Sequence, residues 1–177
     1  MDKFKNLIVL GPLIYAIHHL EEHTIFNFIE WKLQYFYHSA AALSTEAILA
    51  ILTCILVTFA LLHLVKNDRA SAHVILFMLF AIQVINAFYH IFFSFYFSDF
   101  SPGAITAALL YLPVNFLIAQ AAFREGYLKS YFEYGCIAFL GTTTFILFEI
   151  IGPLIIALAI IFSLMYYFYF NKRLSNN

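Results

Sequence analysis

The segment from His18 to His23 carries five ionisable side chains within what otherwise reads as a membrane-spanning helix. A charged group near the centre of such a helix costs roughly 2.5–3.5 kcal/mol on insertion scales, so these groups mark functional sites by default. His18, Glu21 and Glu22 stand at positions i, i+3 and i+4, which places their side chains on one face of a helix. One imidazole and two carboxylates that converge in a low-dielectric site can bind a metal ion or exchange a proton.

A second polar stripe follows later in the chain, on side chains spaced three and four residues apart: Gln83, Asn86 and His90. Counting from the basic residues that precede each helix estimates the depth of both groups. At 1.5 Å per residue, Glu21 lies about 24 Å along the helix from Lys5. By the same count, Asn86 lies about 26 Å along the helix from Arg69. We therefore expect the two groups to meet at one depth, towards the outer face of the membrane.

The composition decides which kind of fold positions these groups. Of the 177 residues, 64% are hydrophobic and only 11% are charged. A soluble domain of this length could not cover its surface with so few charges. The sequence therefore predicts an all-α, polytopic bundle of transmembrane helices that forms a single domain over residues 1–177. Nothing in the sequence indicates binding to nucleic acid.

The apolar stretches predict six spans, because about 20 apolar residues cross a ~30 Å hydrocarbon layer. They lie near residues 6–28, 40–64, 72–97, 103–123, 130–149 and 153–170. Residues 131–170 would form a helix of about 60 Å if they were continuous, which is twice the thickness of the membrane. Gly152 and Pro153 supply a turn and a helix restart, so a hairpin is expected there. The alternative is five spans with a kinked last helix.

The basic residues predict the orientation of the six spans. Eight of them fall on one side of the membrane: Lys3, Lys5, Lys66, Arg69, Arg124, Lys129, Lys172 and Arg173. Only Lys32 falls on the other side. The positive-inside rule then places both termini in the cytoplasm.

Each polar group also has a structural interpretation. The acids and histidines of the first span can be an interfacial helix end, while Asn86 and His90 can form hydrogen bonds between helices. Glu46 can be a partner for the helix dipole of the second span, and Glu149 can mark the hairpin. Tyr111 and Asn115 share one face of the fourth span, where packing is sufficient to explain them.

The combination of motifs resembles the HXXEE family of small bacterial integral membrane proteins. His18, Glu21 and Glu22 match the defining His-x-x-Glu-Glu motif, and His90 matches a further histidine of that family. A Tyr-x-Pro-Gly motif has its counterpart at residues 100–103, where Phe100 replaces the tyrosine. The resemblance implies an enzyme or metal-binding protein in the bacterial cytoplasmic membrane and supplies no settled reaction.

The first functional hypothesis is a metal-dependent membrane enzyme. His18, Glu21, Glu22 and His90 would supply nitrogen and oxygen ligands, a set that suits zinc with an open position or non-haem iron. One glutamate would bind the metal and the other would activate water, with the order left open. Asn86 would orient a ligand or the substrate. At this depth the substrate would be a membrane lipid or another apolar molecule.

Two further hypotheses use the same side chains without a metal. Paired carboxylates in a dry site separate in pKa, so Glu21 and Glu22 could run acid–base isomerisation, cyclisation or hydrolysis of a lipid or isoprenoid. A proton-coupled carrier could use them as a relay, although the sequence has no repeat symmetry of the kind that carriers show. The metal content of the purified protein separates the first hypothesis from these two.

Overall fold

The computed structural model describes residues 3–36 and 43–174. Over these residues the chain is helical and contains no strand. The α-helices are, in order, α1 (Lys3–Ile8), α2 (Leu10–Leu20), α3 (Phe28–Tyr35), α4 (Thr45–Lys66), α5 (Arg69–Leu79), α6 (Ile85–Tyr96), α7 (Ala104–Thr106), α8 (Leu112–Arg124), α9 (Tyr131–Ile151) and α10 (Leu154–Leu174). π-Helical turns follow α2, α5 and α7, at Glu21–Ile25, Phe80–Val84 and Ala107–Tyr111.

Within the described part of the chain, five helices are long and apolar enough to cross a membrane. They are Thr45–Lys66, Arg69–Tyr96, Ala104–Arg124, Tyr131–Ile151 and Leu154–Asn171. The α5–α6 helix is the central one, because 61% of its most apolar window is buried, against 11–33% for the other four. A helix that is apolar all round is expected at such a position. The fold is consistent with the predicted helical membrane protein.

The six spans expected from the sequence are not all found as long helices. The first one, predicted at 6–28, is divided into α1, α2 and a π-helical turn. Pro12 provides the reason for the first break, because it has no N–H to donate to the carbonyl of Ile8, where α1 ends. The second span, predicted at 40–64, begins at Thr45 in the structure, and residues 40–42 of that prediction lie outside the described residues.

The hairpin predicted near Gly152 separates two distinct helices. Gly152 has a φ of 91°, which a side chain would strain, and Pro153 follows it. At the far end of this pair, Arg69 forms an ion pair with Glu133 of α9, with 2.8 Å between Nη2 and Oε1. The hydroxyl of Tyr166 on α10 lies 2.7 Å from Nδ1 of His73. α9 therefore runs parallel to α5 and α10 antiparallel to it, so a single kinked last helix is not what the chain forms.

The N-terminal segment, residues 3–25, lies along the full length of α7 and α8 in spite of its break. At one end the backbone N–H of Phe4 donates to Oε1 of Glu125 over 2.9 Å. At the other end the carboxylate of Glu21 accepts from the backbone N–H of Gly103 over 3.2 Å. Residues 3–25 and the α7–α8 segment therefore run antiparallel, and this pairing brings the His18–His23 motif to the start of α7.

Candidate functional site

His18, Glu22 and His90 converge between α2, its π-helical turn and α6. Nε2 of His90 lies 2.9 Å from Oε1 of Glu22, and Nε2 of His18 lies 3.4 Å from the same oxygen. The three residues are 1%, 8% and 0% exposed, for His18, Glu22 and His90 respectively. The structure thus brings together three of the four residues that the sequence analysis named as metal ligands.

The separations within this trio would allow its members to bind one metal ion together. One ligand atom from each residue lies within 4.8 Å of the other two. Ligands bonded to zinc at about 2.0–2.1 Å in a tetrahedron stand about 3.3 Å from one another. Both histidine Nε2 atoms are buried, and the partner that each faces within the described part of the chain is the Glu22 carboxylate. Two buried imidazole nitrogens that face one carboxylate oxygen form a donor set that fits a divalent cation.

The other side of the His18 ring contacts a hydroxyl group. Nδ1 of His18 lies 2.7 Å from the hydroxyl of Thr106, and that hydroxyl donates to the carbonyl of Gly103 over 3.3 Å. When Nδ1–H of the neutral ring is the donor to this hydroxyl, Nε2 carries a lone pair. A lone pair and a carboxylate oxygen then face each other at 3.4 Å, an arrangement that a cation between them would stabilise.

A serine holds the His90 ring in the same manner. Nδ1 of His90 lies 2.9 Å from the hydroxyl of Ser101, which is fully buried. The backbone around it is held by Ser94, whose hydroxyl donates to the carbonyl of His90 and accepts from the N–H of Ser101. When Nδ1–H donates to Ser101, Nε2 of His90 is free to bind a metal ion. The Ser101-Pro102-Gly103 segment therefore orients a histidine of the cluster.

Glu21 faces a different partner from Glu22. Its Oε1 accepts from the backbone N–H groups of Gly103 and Ile105, at 3.2 and 3.1 Å, and its Oε2 accepts from that of Thr106 at 2.7 Å. These are the N–H groups at the start of α7, which have no partner within their own helix. A carboxylate is favoured at this position by the helix dipole as well. Glu21 thus caps α7 from another part of the chain, and both of its oxygens are occupied.

Gly103 allows this close approach. Its φ is 99°, a conformation that L side chains rarely adopt. A Cβ at this position would stand 2.8 Å from Cε1 of His18, and 3.0 Å from both Cγ of Glu22 and Cε1 of His90. The glycine of the Pro-Gly motif is therefore required twice, once by the backbone conformation and once by the trio it touches. Phe100 stands where the Tyr-x-Pro-Gly motif has its tyrosine, and its ring packs against that of Phe26 with centroids 5.0 Å apart.

Asn86 lies near His18, Glu22 and His90 but is not part of their cluster. It lines the cavity beside the site, and its Oδ1 is buried without a hydrogen-bond partner in the described part of the chain. Gln83, on the same stripe, is committed to structure, because its Nε2 donates to the carbonyl of Gly11 and its Oε1 accepts from Asn115. Among the polar residues Gln83, Asn86 and His90, only the last two therefore have side-chain atoms available to a ligand or substrate.

A cavity of about 520 Å³ opens next to the trio. His18 and Glu22 line its polar end, where Lys32 and Glu149 form an ion pair with 2.6 Å between Nζ and Oε2. The rest of the wall is mostly apolar and comes from α4, α5, α9, α10 and the second π-helical turn, with Leu52, Ile55, Met78, Ile82, Phe145, Phe148, Ile155 and Ile156 among its residues. Volumes of this size hold small-molecule ligands.

Helix α3 lies against the polar end of the cavity. The ring of Phe28 lies 5.1 Å from that of His90. Asp99, in the loop that follows α6, holds α3 in place by accepting from Nε1 of Trp31 over 3.1 Å and from the hydroxyl of Tyr35 over 2.9 Å. The hydrogen bond to Asp99 raises the pKa of the Tyr35 phenol. These contacts place an aromatic ring beside the trio.

Several residues of the site were missed by the sequence analysis. Tyr111, assigned to packing, is fully buried with its ring 4.3 Å from that of His18. His19 and His23, which received no individual role, form a second group with Glu22 in which one ligand atom of each lies within 4.8 Å of the others. Their spacing of four residues was the available signal, since it places two imidazoles on one helix face.

Three helices that surround the site each contain a π-helical turn. The turn at Glu21–Ile25 contains Glu22, the turn at Phe80–Val84 precedes His90 by two helical turns, and the turn at Ala107–Tyr111 ends on the tyrosine beside His18. A π-helical turn inserts one residue into a helix and redirects the side chains around it, and such turns are frequent at functional sites.

The fold and the site define a class of protein: a helical chain, apolar enough to cross a membrane, with a buried cluster of histidine and glutamate. The chain belongs to the HXXEE family, since the family model described as a protein of unknown function with HXXEE motif matches residues 9–118. The resemblance drawn from His18, Glu21 and Glu22 is therefore confirmed. No curated protein and no solved structure matches the chain.

Proposed function

We propose that the protein is a membrane-embedded, metal-dependent enzyme that acts on a lipid or another apolar molecule. One observation carries the proposal: the Nε2 atoms of two buried histidines, His18 and His90, converge at 3.4 and 2.9 Å on one carboxylate oxygen of Glu22, beside an apolar cavity.

In this proposal His18, Glu22 and His90 hold a divalent ion, zinc or iron, and leave further coordination positions open to the cavity. The ion supplies Lewis acidity and lowers the pKa of water. Thr106 and Ser101 orient the two imidazoles through their Nδ1 atoms. Because both oxygens of Glu21 are occupied by backbone N–H groups, we assign to it a positioning role, and the general base stays unassigned.

The cavity supports an amphipathic substrate. Its apolar wall would accept a hydrocarbon chain or ring system, while the ion pair of Lys32 and Glu149 offers one donor and one acceptor for a polar group. Asn86, with its unpartnered Oδ1, would add a hydrogen bond that positions the reacting end of the substrate. Lateral entry from the lipid would suit a cavity lined by several of the long helices.

The proposal includes six crossings of a bacterial cytoplasmic membrane with both termini in the cytoplasm. Residues 3–25 would form the additional crossing, because they extend alongside the whole of α7 and α8, from Glu125 to Gly103. A break at Pro12 does not prevent a crossing, since neighbouring helices can compensate for the missing hydrogen bond.

Reporters fused to the two ends of the chain test this topology. Green fluorescent protein is expected to fluoresce, and alkaline phosphatase to stay inactive, at both the N-terminus and the C-terminus. An even number of crossings places the ends on one side, and the basic residues select the cytoplasm. A fluorescent N-terminus combined with an active phosphatase at the C-terminus would instead establish five crossings.

A metal-free enzyme is the second candidate, and the geometry around the glutamates disfavours it. Sharing of one proton by two carboxylates requires that they face each other, whereas Glu21 points at the start of α7 and Glu22 points at the histidines. A His–Glu pair could still exchange a proton, so the metal content of the purified protein decides between the two candidates.

Replacement of His90 by Ala tests the metal site directly. We expect protein purified in a mild detergent to contain zinc or iron, and His90→Ala to lower that content about tenfold or more, since loss of supporting residues alone already costs 10–100-fold in affinity. The measurement is elemental analysis of the protein after removal of free metal.

His63→Ala is the matched control for this variant. His63 is also fully buried, and its Nδ1 also lies against a serine, 3.0 Å from the hydroxyl of Ser71. It lies in α4, outside the two groups of possible metal ligands. Equal metal content in the His90→Ala and His63→Ala proteins would contradict the proposed metal site. Absence of metal from the wild type would contradict it as well.

A further inference from the structure

The carboxylate of Glu22 has contacts on both of its oxygens. Oε1 faces the first pair of histidines, His18 and His90. Oε2 lies 3.7 Å from Nε2 of His23. His19 belongs to the same group as His23, because one of its nitrogens lies within 4.8 Å of a ligand atom of His23 and of a carboxylate oxygen of Glu22. A single carboxylate thus stands between two pairs of imidazoles.

The second pair has the features of a ligand set. His19 and His23 are separated by four residues, so they project from one face of the helix, as paired histidine ligands of zinc do. Their ring centroids lie 4.4 Å apart. His19 is 8% exposed and His23 is partly buried, and both line the cavity beside Glu22. The open side of this group therefore faces the space that would hold a substrate.

The charges around the group also suit a cation. Glu46, in the first turn of α4, interacts electrostatically with both His19 and His23. Lys32, the cation that lines the same cavity, is neutralised by Glu149. Two carboxylates, those of Glu22 and Glu46, therefore act on the two histidines that would bind a second ion.

We propose that His19, His23 and Oε2 of Glu22 bind a second divalent metal ion, so that Glu22 bridges two ions. This inference rests on the proposed function, because Glu22 is shared with the first position. A carboxylate that bridges through its two oxygens is compatible with ions about 3.5–4 Å apart, the spacing at which paired metals stabilise both the attacking and the leaving oxygen of a displacement. The site would then suit hydrolysis or transfer at a phosphate or carboxylic ester of an amphipathic lipid.

Counting metal ions per chain tests the second position. The full-length protein is purified in detergent, stripped with a chelator, reloaded with Zn²⁺ and freed of unbound zinc before elemental analysis. We expect two zinc ions in the wild type and one in the His19→Ala/His23→Ala variant. The His63→Ala/His73→Ala variant, which removes two buried histidines elsewhere, is expected to keep two.

The counts separate failure of this inference from failure of the proposed function. One zinc ion in both the wild type and the His19→Ala/His23→Ala variant overturns the second position and leaves the first in place. No zinc in the wild type overturns both. If the double variant does not fold, the wild-type count still decides, because a count below two rejects the second ion.

Reloading with Mn²⁺ asks whether two ions share the carboxylate. Electron paramagnetic resonance of the fully loaded wild type is expected to show an exchange-coupled pair, and His23→Asn is expected to convert it to the signal of an isolated ion. His23 is only partly buried, so this single substitution preserves the fold. Two uncoupled Mn²⁺ signals at full loading would show ions at separate places and would overturn the bridge.

Discussion

Glu22→Gln is expected to release the proposed metal ion from the protein while the helices remain folded. Glu22 contributes an oxygen to each group of possible ligands, and glutamine retains its volume but removes the charge that holds the cation. Because glutamine offers no anionic oxygen to the proposed ion, metal content is expected to fall tenfold or more. The fold is not expected to suffer, because glutamine keeps the volume of the side chain and a buried carboxylate is maintained at a desolvation cost. Elemental analysis and thermal unfolding in detergent measure the two effects.

Glu21→Gln is the matched variant, since it makes the same change one residue earlier. Glutamine can place its carbonyl oxygen at Oε1, but its amide would then oppose the N–H of Thr106, which donates to Oε2 over 2.7 Å. A donor left unpaired there costs about 1–3 kcal/mol of unfolding free energy. We therefore expect lower stability with most of the metal retained, the opposite of Glu22→Gln.

The reverse pattern would contradict this division of roles. If Glu21→Gln lost the metal and Glu22→Gln kept it, the ligand would be Glu21, and α7 would need another cap. If both variants kept the metal content of the wild type and His18→Ala unfolded the protein, the cluster would be a structural polar anchor between helices.

Gly103→Ala is expected to have the second largest effect, because it acts on the three proposed ligands at once. The added Cβ would meet His18, Glu22 and His90 at 2.8–3.0 Å. Overpacking of this kind typically costs 1–3 kcal/mol, and a left-handed alanine adds about 1–2 kcal/mol. Relief of the clash would displace the imidazoles, so metal content is expected to fall together with the unfolding temperature.

Gly126→Ala separates the two causes. Gly126 also has a positive φ, at 77°, but nothing lies within 4 Å of its added Cβ. The Gly126→Ala variant is therefore expected to show the effect of backbone strain alone, with a smaller loss of stability and an unchanged metal content. Equal behaviour of the two alanine variants would mean that Gly103 serves only the turn and not the cluster.

These contrasts give the residues of the family motif separate physical roles. His18 and Glu22 face the centre of the cluster, whereas Glu21 ties the first helix to the start of α7. Gly103 contributes to both roles, because its N–H donates to Glu21 and its lack of a Cβ leaves room for the ring of His18. A motif that reads as one catalytic unit therefore combines a ligand set with the contact that holds it in place.

The sequence by itself determined the helical class, the long apolar helices and the turn at Gly152. Composition and apolar run length act locally, and they are sufficient to specify helices that need an apolar surrounding. The spacing of His18 and Glu22 on one helix face is local in the same sense. The common depth estimated for Glu21 and Asn86 follows from helical rise, which does not depend on tertiary contacts.

Only the tertiary structure decided which partner each polar atom meets. Glu21 and Glu22 are neighbours with the same chemistry, and their division depends on Gly103 and Thr106, more than 80 residues away in sequence. The break near Pro12 also escaped the apolar pattern, because hydropathy does not register a missing backbone donor.

The position of His19 and His23 beside Glu22 and the cavity likewise depends on how the helices pack. Helical spacing indicates that His19 and His23 share a face, but the rotation of α2 and its π-helical turn decides that this face meets the cavity. Side-chain direction about the helix axis is fixed by contacts between helices, and one inserted residue changes it. The sequence thus determines that histidines and glutamates lie at one level of the bundle, and the packing of α2, α6 and α7 determines which of their atoms converge.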